Sequence, residues 1–103
     1  MDVTVSDPMG RSLTLHDHTW HGHIALGHPE LDDLRALCEE AIAYPDIITV
    51  SRSSPACRLY HGLGPRSGVM IVVVADVDQG HVKTAYLCRK IDGGIVEWSS
   101  PTA

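Results

Sequence analysis

The chain has 103 residues, 44% of them hydrophobic and 20% charged, with a formal net charge of −5. That length suits one domain with a single core, and that balance excludes a disordered polar chain. No run approaches the roughly 20 apolar residues of a membrane span, and the opening stretch lacks a secretory pattern, so the chain reads as an untargeted, cytoplasmic domain.

The charge is unevenly distributed. Residues 1–46 carry nine acids against Arg11 and Arg35, whereas residues 47–91 carry six bases against Asp76 and Asp78. The total argues against nonspecific polyanion binding, yet the second half can offer a local basic surface. Cys38, Cys57 and Cys88 show no CxxC spacing and lie in apolar stretches, which predicts reduced core thiols.

In chain order, Val3 to Val5 and Ser12 to Leu15 flank Asp7-Pro8-Met9-Gly10, a turn sequence that predicts an N-terminal β-hairpin. Asp17 or Thr19 can cap a short helix from about Trp20 to Leu26, ended by Gly27. Pro29 suits the first position of a second helix, and Pro45 stops it. Leu31, Leu34, Leu37, Cys38, Ala41 and Ile42 form its apolar stripe.

Strands follow at Ile47 to Ser51, Ala56 to His61, Val69 to Val77 and His81 to Arg89, with a fifth at Ile95 to Trp98. Met70 to Val74 reads as a central strand buried on both faces. Alternation places Val82, Thr84, Tyr86 and Cys88 on one face, opposite Lys83, Ala85, Leu87 and Arg89. The expected fold is α+β: two N-terminal helices on a four- to five-stranded antiparallel sheet, preceded by the hairpin, all in one domain spanning 1–103.

Five histidines (His16, His18, His21, His23, His28) fall within thirteen residues, but their spacing presents no clean ligand face, so no metal or cofactor is expected. His23 and His28 border the seam between helices and sheet. A histidine beside an apolar face is more often a hydrogen-bonded structural group than a catalyst.

The order Trp20-x-x-His23-Ile24, His28-Pro29-Glu30-Leu31, Pro45-Asp46-Ile47-Ile48, Tyr60, Val69 to Val74 and Thr84-Ala85-Tyr86 resembles the phage-associated nuclease-like families grouped with barnase, EndoU, colicin-type RNases and RelE toxins. The resemblance runs from about Trp20 to Arg89 and implies a toxin-like, metal-independent endoribonuclease of phage or mobile-element context. Metal-free cleavage needs a base for the 2′-OH proton, an acid for the leaving oxygen and a cation for the charged phosphorane. On that reading His23 and His28 form the proton-transfer pair and Arg52 stabilises phosphate, with Arg58 and Lys83 as further basic contacts. Tyr60, Thr84 and Tyr86 supply hydrogen bonds or stacking. All border one seam. The partners implied are RNA and an antitoxin or immunity protein, with a homodimer allowed and no membrane. Against it stand only eight Lys and Arg residues in total, so a non-catalytic interaction domain of the same fold is the alternative.

Overall fold

The computed structural model describes residues 1–101. Its strands are β1 (Val3–Ser6), β2 (Ser12–Leu15), β3 (Ile47–Val50), β4 (Cys57–Leu63), β5 (Met70–Asp76), β6 (His81–Cys88) and β7 (Val96–Ser99). They form one sheet in the order β1-β2-β6-β5-β4-β3-β7. The fold is α+β, but the expected four- to five-stranded antiparallel sheet carrying two N-terminal helices is overturned: seven strands, not five, make a mixed sheet. The hairpin β1–β2 is part of it, because β2 runs parallel to β6 with Thr14 opposite His81 and the Thr14 amide donating to the Gly80 carbonyl at 2.9 Å. So short a parallel bridge leaves no periodic signal in the sequence, since hydrophobic alternation marks a strand without naming its neighbour.

The helices differ too. The first is a broken run: α-helical at Asp17–Thr19, π-helical at Trp20–Ile24 and α-helical again at Ala25–Gly27. In this stretch Trp20 and Ile24, four residues apart on one face, are both buried, while the intervening His21, Gly22 and His23 stay in solvent. The expected second helix is divided into a 3-10 turn at Pro29–Leu31 and a main helix at Arg35–Ala43. Between them Leu34 leaves helical geometry (φ −111°, ψ 17°), its amide bonding to Leu31. The break lets Leu31 enter the core from one direction and Cys38, Ala41 and Ile42 from another.

The core lies between the main helix and the inner sheet face, where Ile48, Tyr60, Ile71, Val73, Ala75, Val82 and Ala85 meet Leu13, Leu15 and the helical side chains. Ala41 packs so closely on Gly62 that a Cβ at Gly62 would stand 2.6 Å from the Ala41 Cβ. A register shift in the β5–β6 ladder, where Val74 faces Thr84 but Ala75 faces Val82, inserts one extra residue at Lys83. Val82 is thereby turned into the core beside Ala85, rather than sharing a face with Thr84 as strict alternation predicts.

The sheet is curled, and polar groups hold its two ends together. Arg11, at the start of β2, donates through Nε to Asp7 at 2.7 Å and through Nη2 to Glu97 of β7 at 2.7 Å. Arg58 donates to the same Glu97 at 2.8 Å, and Tyr60 Oη donates to Asp7 at 2.6 Å. Among the described residues no helix is long and apolar enough to cross a membrane.

Candidate functional site

The outer sheet face carries no helix. Leu59, Val74 and Tyr86, from the adjacent strands β4, β5 and β6, floor a cavity of about 270 Å³ there. Its walls are Ser51 to Ser53, in the β3–β4 connection, and Asp92-Gly93, in the β6–β7 connection. Val72, on this same face, is fully buried, as expected of a central strand covered on both sides, and Val74 is its partly exposed point at the cavity. Thr84 pairs with Val74 and stands two residues before Tyr86, so it shares this face.

The walls are held by hydrogen bonds. Ser51 Oγ accepts the Ser53 and Ser54 amides at 3.3 and 3.2 Å, shaping the first wall. Arg52 Nε donates to the Gly93 carbonyl at 2.7 Å and ties the walls together, leaving its terminal nitrogens without a partner among the described residues. Tyr86 Oη donates to Asp92 Oδ2 at 2.6 Å, and the Gly93 amide donates to Oδ1 at 2.8 Å. Below this loop lies His61, which is fully buried. The Asp92 amide can only donate, so His61 Nε2, at 3.0 Å, accepts; the ring proton therefore sits on Nδ1, facing the Ile47 carbonyl at 3.3 Å. Burial pushes the His61 imidazole below its ordinary value and keeps it neutral.

The charged groups are polarised apart. The Tyr86 hydroxyl first, then the Gly93 amide, hold the Asp92 carboxyl below the usual range. Burial first, then Asp92, raises the Tyr86 phenol. Asp92 is thus a carboxylate and Tyr86 a neutral donor at neutral pH. The cavity offers an aromatic wall, an apolar floor, a free guanidinium end and a fixed carboxylate, a set suited to a planar polar group attached to an anion.

The expected site residues are divided among four places. Arg52, Thr84 and Tyr86 come together on the outer face. Tyr60 is fully buried against Asp7, and Arg58 is committed to Glu97 and the Pro55 carbonyl, so both serve the polar closure of the sheet. Lys83 is exposed at the bulge. On the helical segments, His23 is exposed and makes no hydrogen bond or ion pair among the described residues. His28 Nδ1 stands 3.7 Å from Glu30, both side chains being partly exposed. A single cleft holding His23 and His28 with Tyr60 does not form. Sequence reasoning missed His61 and Asp92. The signal for Asp92 was the Gly93-Gly94 pair after it, a turn that brings the chain back over the sheet; His61 gave none beyond its place in a strand.

Among the described residues no group of three His, Cys, Asp or Glu side chains is placed to hold a metal ion. Cys38, Cys57 and Cys88 are unpaired, and burial pushes the Cys38 thiol up to about 12, away from nucleophilic use. Comparisons with protein-family models, with curated proteins and with solved structures find no match to this chain.

Proposed function

We propose that this chain engages single-stranded RNA on the outer face of its sheet, as a metal-independent ribonuclease-like domain working in the cytoplasm. The observation that carries the reading is the convergence of Arg52, Tyr86 and Asp92, from separate parts of the sequence, around one cavity, with Thr84 on the same sheet face. Single-stranded RNA is read through unstacked bases on aromatic rings, with arginine meeting the phosphates. Tyr86 supplies the ring and Arg52 the cation. In a cleavage step Asp92 accepts the 2′-OH proton as the 2′-oxygen bonds to phosphorus, Arg52 stabilises the charged phosphorane, and the P–5′-O bond breaks with the 5′-oxygen taking its proton from solvent water. The resemblance across about Trp20 to Arg89 supports the same activity class. An antitoxin or immunity protein would act by covering this face.

A specific observation favours a second reading, RNA binding without cleavage. Asp92 is shifted down and Tyr86 up, so neither group is poised for proton transfer near neutrality, and His23 and His28 are on other elements. The deciding experiment is cleavage of mixed RNA in EDTA by wild type, Arg52→Gln, Asp92→Asn, His23→Ala and His28→Ala. Cyclic-phosphate products lost in the first two variants and kept in His23→Ala support the enzyme. Binding without products supports the second reading, and neither binding nor products overturns both.

A further inference from the structure

Apart from the outer face, a second surface of the molecule is built for an anion. Of the six arginines, Arg11, Arg35, Arg52 and Arg58 are each engaged by carboxylates or backbone carbonyls. Arg66 and Arg89 have no hydrogen bond or ion pair among the described residues. These two line the same pair of adjoining grooves, one of about 550 Å³ with Glu30, Val69, Leu87 and Cys88, the other of about 350 Å³ with Ser67, Gly68 and Asp46.

The turn that carries Arg66 is rigid. The Val69 amide bonds back to the Arg66 carbonyl at 3.2 Å with Gly68 at φ +78°, which is type II geometry and needs glycine at that position. It leaves the Ser67 and Gly68 amides outside the ladder, beside the Ser67 hydroxyl and the Arg66 guanidinium. Arg89 and Lys90 follow the end of β6, whereas the acids of the β5–β6 hairpin, Asp76 and Asp78, lie at its opposite end. The six steps of β5 separate the two ends by about 20 Å at roughly 3.3 Å per residue. Arg66, Arg89 and Lys90 thus gather at one end of the sheet. Glu30 and Asp46 border the grooves, yet neither pairs with either arginine; Glu30 has His28 as its neighbour at 3.7 Å.

We infer that Arg66, Arg89 and the Ser67-Gly68 turn form a phosphate-binding groove. Two forked guanidiniums with backbone donors and a hydroxyl match the oxygens of a phosphate group better than those of a lone carboxylate. The phosphate can belong to an RNA strand or to a free ion. Arg89 follows the end of β6, about 10 Å along the chain from Tyr86 at roughly 3.3 Å per residue, and the groove's Leu87 is on the face opposite Tyr86, so an RNA strand seated on the outer face reaches the groove only by passing round that end. Only the RNA source rests on the function proposed above; the groove itself does not.

The test is amide and arginine Nε NMR of the full chain titrated with inorganic phosphate, then with a short oligoribonucleotide at several salt concentrations. Phosphate should shift Ser67, Gly68 and the Nε signals of Arg66 and Arg89, and Arg66→Gln/Arg89→Gln, whose side chains are exposed and whose folding is checked by spectral dispersion, should abolish the shifts. If RNA is the source, the double variant flattens the salt dependence of log K by about 1.4, from roughly 0.7 per phosphate contact. Phosphate shifts with no RNA binding support the groove and count against the RNA reading. RNA binding at Tyr86 and Gly93 with an unchanged salt slope and no phosphate shift overturns the groove and leaves the RNA reading standing. Phosphate shifts that persist in the double variant also overturn it.

Discussion

The Tyr60 hydroxyl donates to Asp7 at 2.6 Å across fifty-three residues of chain, joining the middle of β4 to the turn of the N-terminal hairpin. Burial alone would raise the Asp7 carboxyl, but the hydrogen bonds from Tyr60 and Arg11 outweigh it and hold the group below its ordinary value of 3.8. Burial likewise opposes ionisation of Glu97, and Arg11 and Arg58 reverse it. Carboxyls lowered in the folded state contribute stability that is present above their unfolded values and lost as pH falls through the folded ones. Tyr60→Phe removes a bond to a charged acceptor at a buried site and should cost about 1.5–3 kcal/mol in urea unfolding at neutral pH. The difference from wild type should shrink once acid has protonated Asp7. A penalty that is the same at pH 7 and pH 3 would show that the hydroxyl, rather than its charged partner, sets the stability.

His61 gives a second pH dependence in a different window. Its folded-state value is depressed below 6.5, so the unfolded chain takes up the proton first, and stability falls as pH drops below about 6.5. Protonation also ends the acceptor role of Nε2 toward the Asp92 amide, loosening the loop that walls the outer cavity. Asp92 and Tyr86 are the ionisable neighbours on that side, and Asp92 favours the proton without overcoming burial. In His61→Gln, where the amide oxygen can still accept, the loss of stability between pH 7 and pH 5.5 should be smaller than in wild type. Equal losses in the two proteins would refute the assignment.

Where the sequence was legible, a residue's own pattern was enough. The strands from Ile47 to Cys88 follow from β-branched runs and turn residues, and the main helix from spacings of three and four. The arrangement of the hairpin was not legible, because β2 meets β6 through a single parallel bridge at Thr14. The π-helical turn at Trp20–Ile24 was hidden because Trp20 and Ile24, four residues apart, share a face in an ordinary helix as well, so their spacing does not tell the two geometries apart. Of the candidate site, Arg52, Thr84 and Tyr86 were accessible from the sequence, but Tyr60 was misread. Its ring and hydroxyl look the same on paper as those of Tyr86, and only the partner differs: buried Asp7 for one, loop Asp92 for the other.

The helix–sheet contact at Gly62 predicts a steep size limit. A Cβ there would meet the Ala41 Cβ at 2.6 Å and the Ala41 Cα at 2.7 Å, and main chain cannot rotate aside. Gly62→Ala should therefore destabilise by about 1–3 kcal/mol, the range for overpacked cores. Adding Ala41→Gly should recover only part of the loss, because the Cα remains. Complete recovery would mean that the helix shifts freely on the sheet.

Arg11 is the residue on which closure of the curled sheet depends most. Among the described residues it is the side chain that joins the hairpin turn to β7, because Glu97 otherwise binds Arg58 and Asp7 otherwise binds Tyr60. Arg11→Met keeps the apolar stem and deletes the charge, leaving Glu97 one cation and Asp7 one side-chain donor. With the arginine side chain 23% exposed, the cost should fall somewhat under the about 3–5 kcal/mol of breaking a fully buried pair. The loss should also be local, since among the described residues the hairpin is then held to the main sheet by the Tyr60–Asp7 bond and the short β2–β6 bridge. Amide hydrogen exchange should then accelerate in β1 and β2 well before β4 and β5. Uniform acceleration across all strands would instead mean that the hairpin and the central sheet open as one cooperative unit.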